Sequence, residues 1–150
     1  MATICLDTST WLEYLNAGPH GPKIRSLVQA GTRVVTPAPV AAELIEAARR
    51  RRMNSKLFLR FLRSRSDVIA LSGEIARIAG RINAEHAEDD GWTMMESFVL
   101  ATARHTRAKL YTRDPLFQGL ANVVVLPPIS RAAARGASAS GTTGPSAPPP

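Results

Sequence analysis

Only one cysteine, Cys5, occurs in the 150 residues, so no internal disulfide framework is available. The three histidines, His20, His86 and His105, show no Cys/His spacing of the zinc type. Cys5 reads as a small buried hydrophobe, and the expected setting is a reducing cytoplasm. Long apolar runs are also missing. The stretch before Asp7 is too short and too soon charged for a signal peptide or a membrane span, so a soluble protein with no membrane contact is expected. Acidic residues are scarce: 12 Asp+Glu face 19 Lys+Arg, a formal charge of +7 that suits a polyanionic partner better than a neutral metabolite. What is plentiful is apolar sequence, at 45%, enough to bury one core in a chain of one domain's length.

From Pro128 to Pro150 the chain is Ala, Gly, Ser, Thr and Pro with only Arg131 and Arg135 charged, which predicts a disordered tail behind a domain spanning 1–127. Without those two arginines the body still carries 17 basic against 12 acidic residues, so the basic bias belongs to the folded part. Thr3 to Leu6 reads as a strand, and Thr10-Trp11-Leu12-Glu13 as a capping box opening a helix. Gly18, Pro19, Gly21 and Pro22 break the chain before a helix through Ile24, Leu27 and Val28. Arg33 to Thr36 is a second strand, stopped by Pro37, and a helix starting near Pro39 carries Val40, Leu44, Ile45 and Ala48. Leu57, Phe58, Phe61 and Leu62 continue that apolar pattern toward a core.

Val68 to Leu71 stands between strand and helix end in its pattern. Ile75, Ile78, Ala79 and Ile82 mark another helix, ended by the acidic loop Glu85 to Gly91. Thr93-Met94-Met95-Glu96 is a second capping box, opening a helix to about His105. Lys109 to Thr112 and Val123 to Val125 complete the strands. Strands alternating with helices predict an α/β three-layer sandwich, with a central parallel sheet of four or five strands and helices on both faces.

In such sheets reactive groups gather beyond the carboxyl ends of the strands. Asp7 and Asp114 each follow a strand, and Thr112 shares a face with Asp114 if the extended conformation persists, so that its hydroxyl would orient that carboxylate. Glu43 and Glu96 lie near helix N-termini, where side chains lean back toward the start of the helix. Several carboxylates converging in water-poor surroundings repel one another and call for a compensating cation. Hard oxygen donors suit Mg²⁺ or Mn²⁺, which would activate water and stabilise charge on a scissile phosphodiester.

The phrase Leu6-Asp7-Thr8-Ser9, then Ala42-Glu43-Leu44, then the helix from Glu96-Ser97-Phe98 to Ala103, and finally Leu110-Tyr111-Thr112-Arg113-Asp114, resemble PIN-domain proteins, specifically toxin ribonucleases of the VapC type. The match in order and spacing covers residues 3 to about 126. It implies a PIN-like fold, metal-dependent endoribonuclease activity on RNA, a homodimer, and a cognate VapB-type antitoxin that blocks the site. By position it carries the acidic site onto Asp7, Glu43, Glu96 and Asp114, with Asp7, Glu96 and Asp114 holding metal and Thr112, Thr8 and Ser9 supporting them. Glu96 departs from the family's Asp, adding a methylene and a rotatable bond that put metal position in question.

Each residue also has a plainer reading. Asp7 ends a strand, where turns favour Asp; Glu43 fits an arginine pair or the helix dipole; Asp114 fits an Asp-Pro turn; and the capping box alone accounts for Glu96. Asp89 and Asp90 read as solvated loop residues, Glu46 as a surface partner of Arg49 or Arg50, and Trp11, Tyr14 and Phe98 as core. Between Arg49 and Arg65 lie eight basic residues and no acidic one. Arg49, Arg52, Lys56, Arg60 and Arg63 would form one stripe on a continuous helix, for RNA phosphates or for an acidic partner or solvent. The competing function is a noncatalytic nucleic-acid-binding or antitoxin-binding module. An aspartyl phosphatase would place a second Asp where Ser9 stands, and a receiver domain would need an acidic pair at the end of the first strand.

Overall fold

The computed structural model describes residues 2–129. The tail expected after residue 127 therefore lies, from 130 onward, outside the described residues. Five strands and six helices follow one another as β1 Thr3–Leu6, α1 Thr8–Leu15, α2 Gly21–Gln29, β2 Arg33–Pro37, α3 Ala38–Arg50, α4 Ser55–Arg65, β3 Asp67–Ile69, α5 Gly73–Glu85, α6 Met94–His105, β4 Lys109–Thr112 and β5 Val123–Val125. A 3-10 turn, Pro115–Phe117, precedes the last strand.

All strand pairs are parallel, in the order β3-β2-β1-β4-β5. With right-handed crossovers, the steps from β1 to β3 lay α1 to α4 over one face, and the long return to β4 lays α5 and α6 over the other. The order reverses at β1, so the crevice between the ends of β1 and β4 is the switch point where open α/β sheets bind ligands. The three-layer α/β expectation is met, with five strands. The core is drawn from both layers: Cys5, Leu6, Val35 and Leu110 from the sheet, Trp11, Ile24, Leu44 and Leu62 from one side, Ile75, Ile82 and Leu100 from the other. Trp11 meets Tyr14 edge to face and donates its Nε1–H to Thr36 Oγ1 at 3.0 Å, giving the buried indole its polar partner.

Several sequence expectations are corrected. The helix after β1 starts at Thr8, not at a Thr10 cap: Asp7, in extended conformation, is the N-cap and accepts from Thr10 N–H. Thr10-x-x-Glu13 has capping-box spacing, but both residues are buried inside α1. Gly21 and Pro22 belong to the first turn of α2 rather than to a break before it, since proline is acceptable where the N–H has no helical partner. Val68 and Ile69 belong to β3, which pairs with β2.

The basic helix is not continuous. Arg52 takes a positive φ of 60°, and Asn54 then caps a new helix through the N–H groups of Lys56 and Leu57. Arg49 and Arg52 therefore do not share a helical face with Lys56, Arg60 and Arg63, although all five are exposed. The same break rotates Leu57 outward, to 60% exposure, while Phe58 and Leu62 stay buried. Glu46 pairs with Arg50 on the surface, as its spacing predicts.

These two leucines of α4 make the packing testable by urea denaturation. Leu62→Ala is expected to cost about 2–5 kcal/mol. Leu57→Ala is expected to stay within about 0.5 kcal/mol, and an equal loss at both positions would contradict the assignment of faces.

Candidate active site

The β1/β4 register sets Leu6 opposite Tyr111, which brings the residues that follow, Asp7 and Thr112, side by side at the carboxyl edge of the sheet. Asp7 is buried and fully engaged. Its Oδ1 accepts from Ser9 Oγ at 2.7 Å, Thr10 N–H at 2.9 Å and Thr10 Oγ1 at 2.6 Å, and its Oδ2 accepts from the buried Thr112 hydroxyl. The expectation that Thr112 orients Asp114 is therefore corrected. The hydroxyl has one proton and spends it on Asp7, while its oxygen accepts the Asp114 backbone N–H at 2.9 Å.

Asp114 caps the 3-10 turn, accepting from Leu116 N–H at 2.9 Å through Oδ1. The Asp-Pro turn and the position at the strand's end are thus both present. Glu43, on α3, reaches the start of α1, where Thr8 Oγ1 donates to its Oε2. No arginine pairs with Glu43 among the described residues. Helix α6 runs antiparallel to the strand it feeds, so its N-terminus lies at the same edge. There Glu96 closes the capping box: its Oε2 accepts the Thr93 N–H at 2.7 Å and the Thr93 hydroxyl.

One cleft of about 180 Å³ is lined by Asp7, Thr8, Ser9, Glu43, Met95, Glu96, Val99, Asp114 and Phe117. All four carboxylates named from the sequence, and two of the three supporting hydroxyls, therefore share its wall. No Lys or Arg among the described residues lines it. The five exposed basic residues of α3, α4 and their connection, and the loop acids Asp89 and Asp90, do not line it either. Asp89 instead bonds His86 Nδ1.

Further contacts, several made by side chains for which the sequence pattern suggested another role, hold this edge in place. Ser9 Oγ accepts from Arg113 N–H at 2.9 Å, and the Thr10 hydroxyl lies 2.8 Å from the Tyr111 carbonyl. Arg113 Nη1 sits 2.6 Å from Oε1 of Glu13, whose side chain is 3% exposed. Glu13 Oε2 accepts His20 N–H at 2.9 Å, and a Cβ at Gly18 would stand 2.1 Å from that oxygen, so only glycine leaves room for the carboxylate. The one available signal was Glu13 inside an apolar helical face. Trp92 is stacked on His86, tilted against Phe117, and donates to Ser97 Oγ at 2.8 Å, so its ring is built into the α5–α6 corner. The Cys5 thiol, beside this edge, has its pKa raised by burial and, second, by the Asp7 charge, which makes it inert.

The donor chemistry, four acidic residues with no lining cation among the described residues, fits a hard divalent metal. Among the described residues, however, no three acidic, His or Cys side chains are drawn into a ready-made metal-binding group. Each acid is held by a donor of the protein: Asp7 by Ser9, Thr10 and Thr112, Glu43 by Thr8, Glu96 by Thr93, Asp114 by Leu116.

Comparison with known proteins identifies the family and the fold. A family model, the PIN domain, matches residues 4–123. Among solved structures, a toxin-antitoxin complex from Klebsiella pneumoniae superposes with a TM-score of 0.66 at 21% identity, covering 81% of this chain and 96% of that one. VapBC2 from Rickettsia felis, bound to a DNA fragment from its promoter, gives 0.65 at 17% identity, over 83% and 97%. VapC20 of Mycobacterium tuberculosis, a sarcin-ricin loop cleaving toxin, gives 0.60 at 21% identity, over 83% and 99%. No curated protein matches the sequence.

The hub at Asp7 is measurable without any activity assay. Thr112→Val keeps the shape but removes the donor to a buried carboxylate oxygen, and is expected to cost about 1–3 kcal/mol in denaturant unfolding. Thr112→Ser is expected to recover most of that loss.

Proposed function

The chain belongs to the PIN domain family, and from that membership we propose that it is a divalent-metal-dependent endoribonuclease of the VapC type, the toxin of a toxin-antitoxin pair. The observation that carries the reading is the convergence of Asp7, Glu43, Glu96 and Asp114 on one cleft at the sheet's switch point. Asp7, Glu96 and Asp114 would hold Mg²⁺ or Mn²⁺. Bound there, the ion would supply an activated water and a charge opposite the scissile phosphodiester.

The residues of the chain itself have distinct parts in this reading. Asp7 is fixed by four donors to its two oxygens, so it is the preorganised anchor of the cleft. Among the described residues, one oxygen each of Glu43 and Asp114 receives no protein donor. Those oxygens are free to accept a proton or a ligand. Thr8 holds Glu43, and Ser9 ties Asp7 to the end of β4. The substrate is RNA, an anion that the net charge of +7 attracts while the acids select where it is cut. Arg49, Arg52, Lys56, Arg60 and Arg63 form an exposed basic region, now on two helices and their connection, for its phosphates.

A VapB-type antitoxin is the inhibitory partner. An Arg or Lys inserted among the four carboxylates would substitute for the metal's charge through paired hydrogen bonds. The protein acts as a homodimer in the cytoplasm in this reading, with a single folded domain at 1–127. The alternative, a noncatalytic nucleic-acid-binding or antitoxin-binding module, draws on Glu96 being held in its helix cap.

Protein freed of partner is expected to cut total RNA at discrete sites with Mg²⁺ or Mn²⁺ and not with chelator. Asp114→Asn and Glu43→Gln, both able to keep their local hydrogen bonds, are each expected to slow cleavage by about 100-fold or more. Intact RNA under every condition, with RNA or partner still bound, would favour the noncatalytic module. Neutralising the five basic residues is expected to flatten the salt dependence of RNA binding by about 0.7 per lost phosphate contact, and an unchanged slope would assign them to solvent.

A further inference from the structure

Glu96 stands in two places at once. It lines the acidic cleft, and its Oε2 is the reciprocal acceptor of the capping box, taking both the N–H and the hydroxyl of Thr93. A glutamate at the third helical position satisfies an orphan N–H in this way and stabilises the helix start. In this capped geometry Glu96 belongs to no metal-binding group of three among the described residues, and both Thr93 donors fall on its Oε2. The cap is well supported from behind. Ser97, the next residue, is fully buried, accepts from Trp92 Nε1 at 2.8 Å and donates to Asn83 Oδ1 at 3.0 Å, which pins the first turn of α6 to α5. The backbone of this corner is thus fixed, and the Glu96 side chain is the part able to change partner.

We propose that Glu96 is shared between Thr93 and the divalent cation of the cleft, so that Thr93 is a positioning residue that sets metal affinity. Glu96 turns to the cleft by giving up the Thr93 hydroxyl and N–H, and the capping box opens when the site is loaded. The added methylene of a glutamate is what lets one carboxylate span both positions. This inference rests on the cleft being a metal site, and it adds that the site competes with a helix cap.

The test reads binding and local protection on the full chain. Mn²⁺ affinity is measured by titration calorimetry for the wild type, Thr93→Val, Thr93→Ser and Asp114→Asn. Amide exchange at Thr93 is followed by NMR with and without Mg²⁺. Thr93→Val, which removes one charge-assisted donor to Glu96, is expected to bind Mn²⁺ about tenfold more tightly. Thr93→Ser is expected to bind like the wild type, and Mg²⁺ is expected to speed exchange of the Thr93 amide. That exchange reading needs only the wild type and stands even if Thr93→Val fails to fold. Unchanged or weaker binding by folded Thr93→Val, or a Thr93 amide that keeps its protection under saturating Mg²⁺, would overturn the proposal while loss of binding in Asp114→Asn still upheld the metal site. No Mn²⁺ binding by any variant would overturn both.

Discussion

The Asp7 carboxylate holds the molecule's functional edge together. It follows β1, caps α1, and receives a hydroxyl from the end of β4. A buried carboxylate is tolerable only with such a set of donors, because desolvation without partners costs far more than the bonds return. The donors come from two segments distant in sequence, Ser9 and Thr10 on one side and Thr112 on the other. Satisfying one charge therefore fixes how the first helix, the first strand and the fourth strand meet. Glu43 and Asp114 are then placed by what Asp7 has already set, through Thr8 at the start of α1 and through the Asp114 N–H on Thr112.

Charge is sorted across this edge. The chain has a surplus of basic residues, and none of the described ones lines its acidic cleft. Arg113, immediately before Asp114, is the nearest candidate in sequence to fill it, yet its guanidinium is held by Glu13 on α1. Gly18 makes that arrangement sterically open. Among the described residues the cleft's carboxylates are thus left with hydroxyl and amide donors, which stabilise each charge locally but bring no positive charge against their mutual repulsion. Such a site is suited to an external cation, whether a metal or a basic side chain of a partner.

Much of this was legible in the sequence because the relevant patterns are local. Apolar runs and three-and-four spacing gave the strand and helix order, and four acids at strand ends and helix starts gave the cleft. What stayed hidden depends on distant partners. Thr10 and Glu13 mimic a capping box, and only the buried contacts to Asp7, Tyr111 and Arg113 reveal them as interior residues. Thr112 has the alternation that would aim it at Asp114, but the parallel register puts Asp7 closer to its proton. The stripe from Arg49 to Arg63 has helical spacing throughout, and nothing in the spacing shows the positive φ at Arg52 that divides it. The capping box at Thr93 was fully readable. So was the double claim on Glu96, while the buried Ser97 bonds to Trp92 and Asn83 behind it were not.

The central claim is that the acidic cleft holds a metal through Asp7, Glu96 and Asp114, with Glu43 beside them. Paramagnetic broadening of backbone amide resonances by substoichiometric Mn²⁺ reports on it directly, because the effect falls steeply with distance from the bound ion. The account predicts broadening centred on Asp7, Glu43, Glu96 and Asp114 and absent around the surface acids Glu74, Glu85 and Asp89. Broadening centred on those surface acids, or spread evenly over the chain, would contradict it.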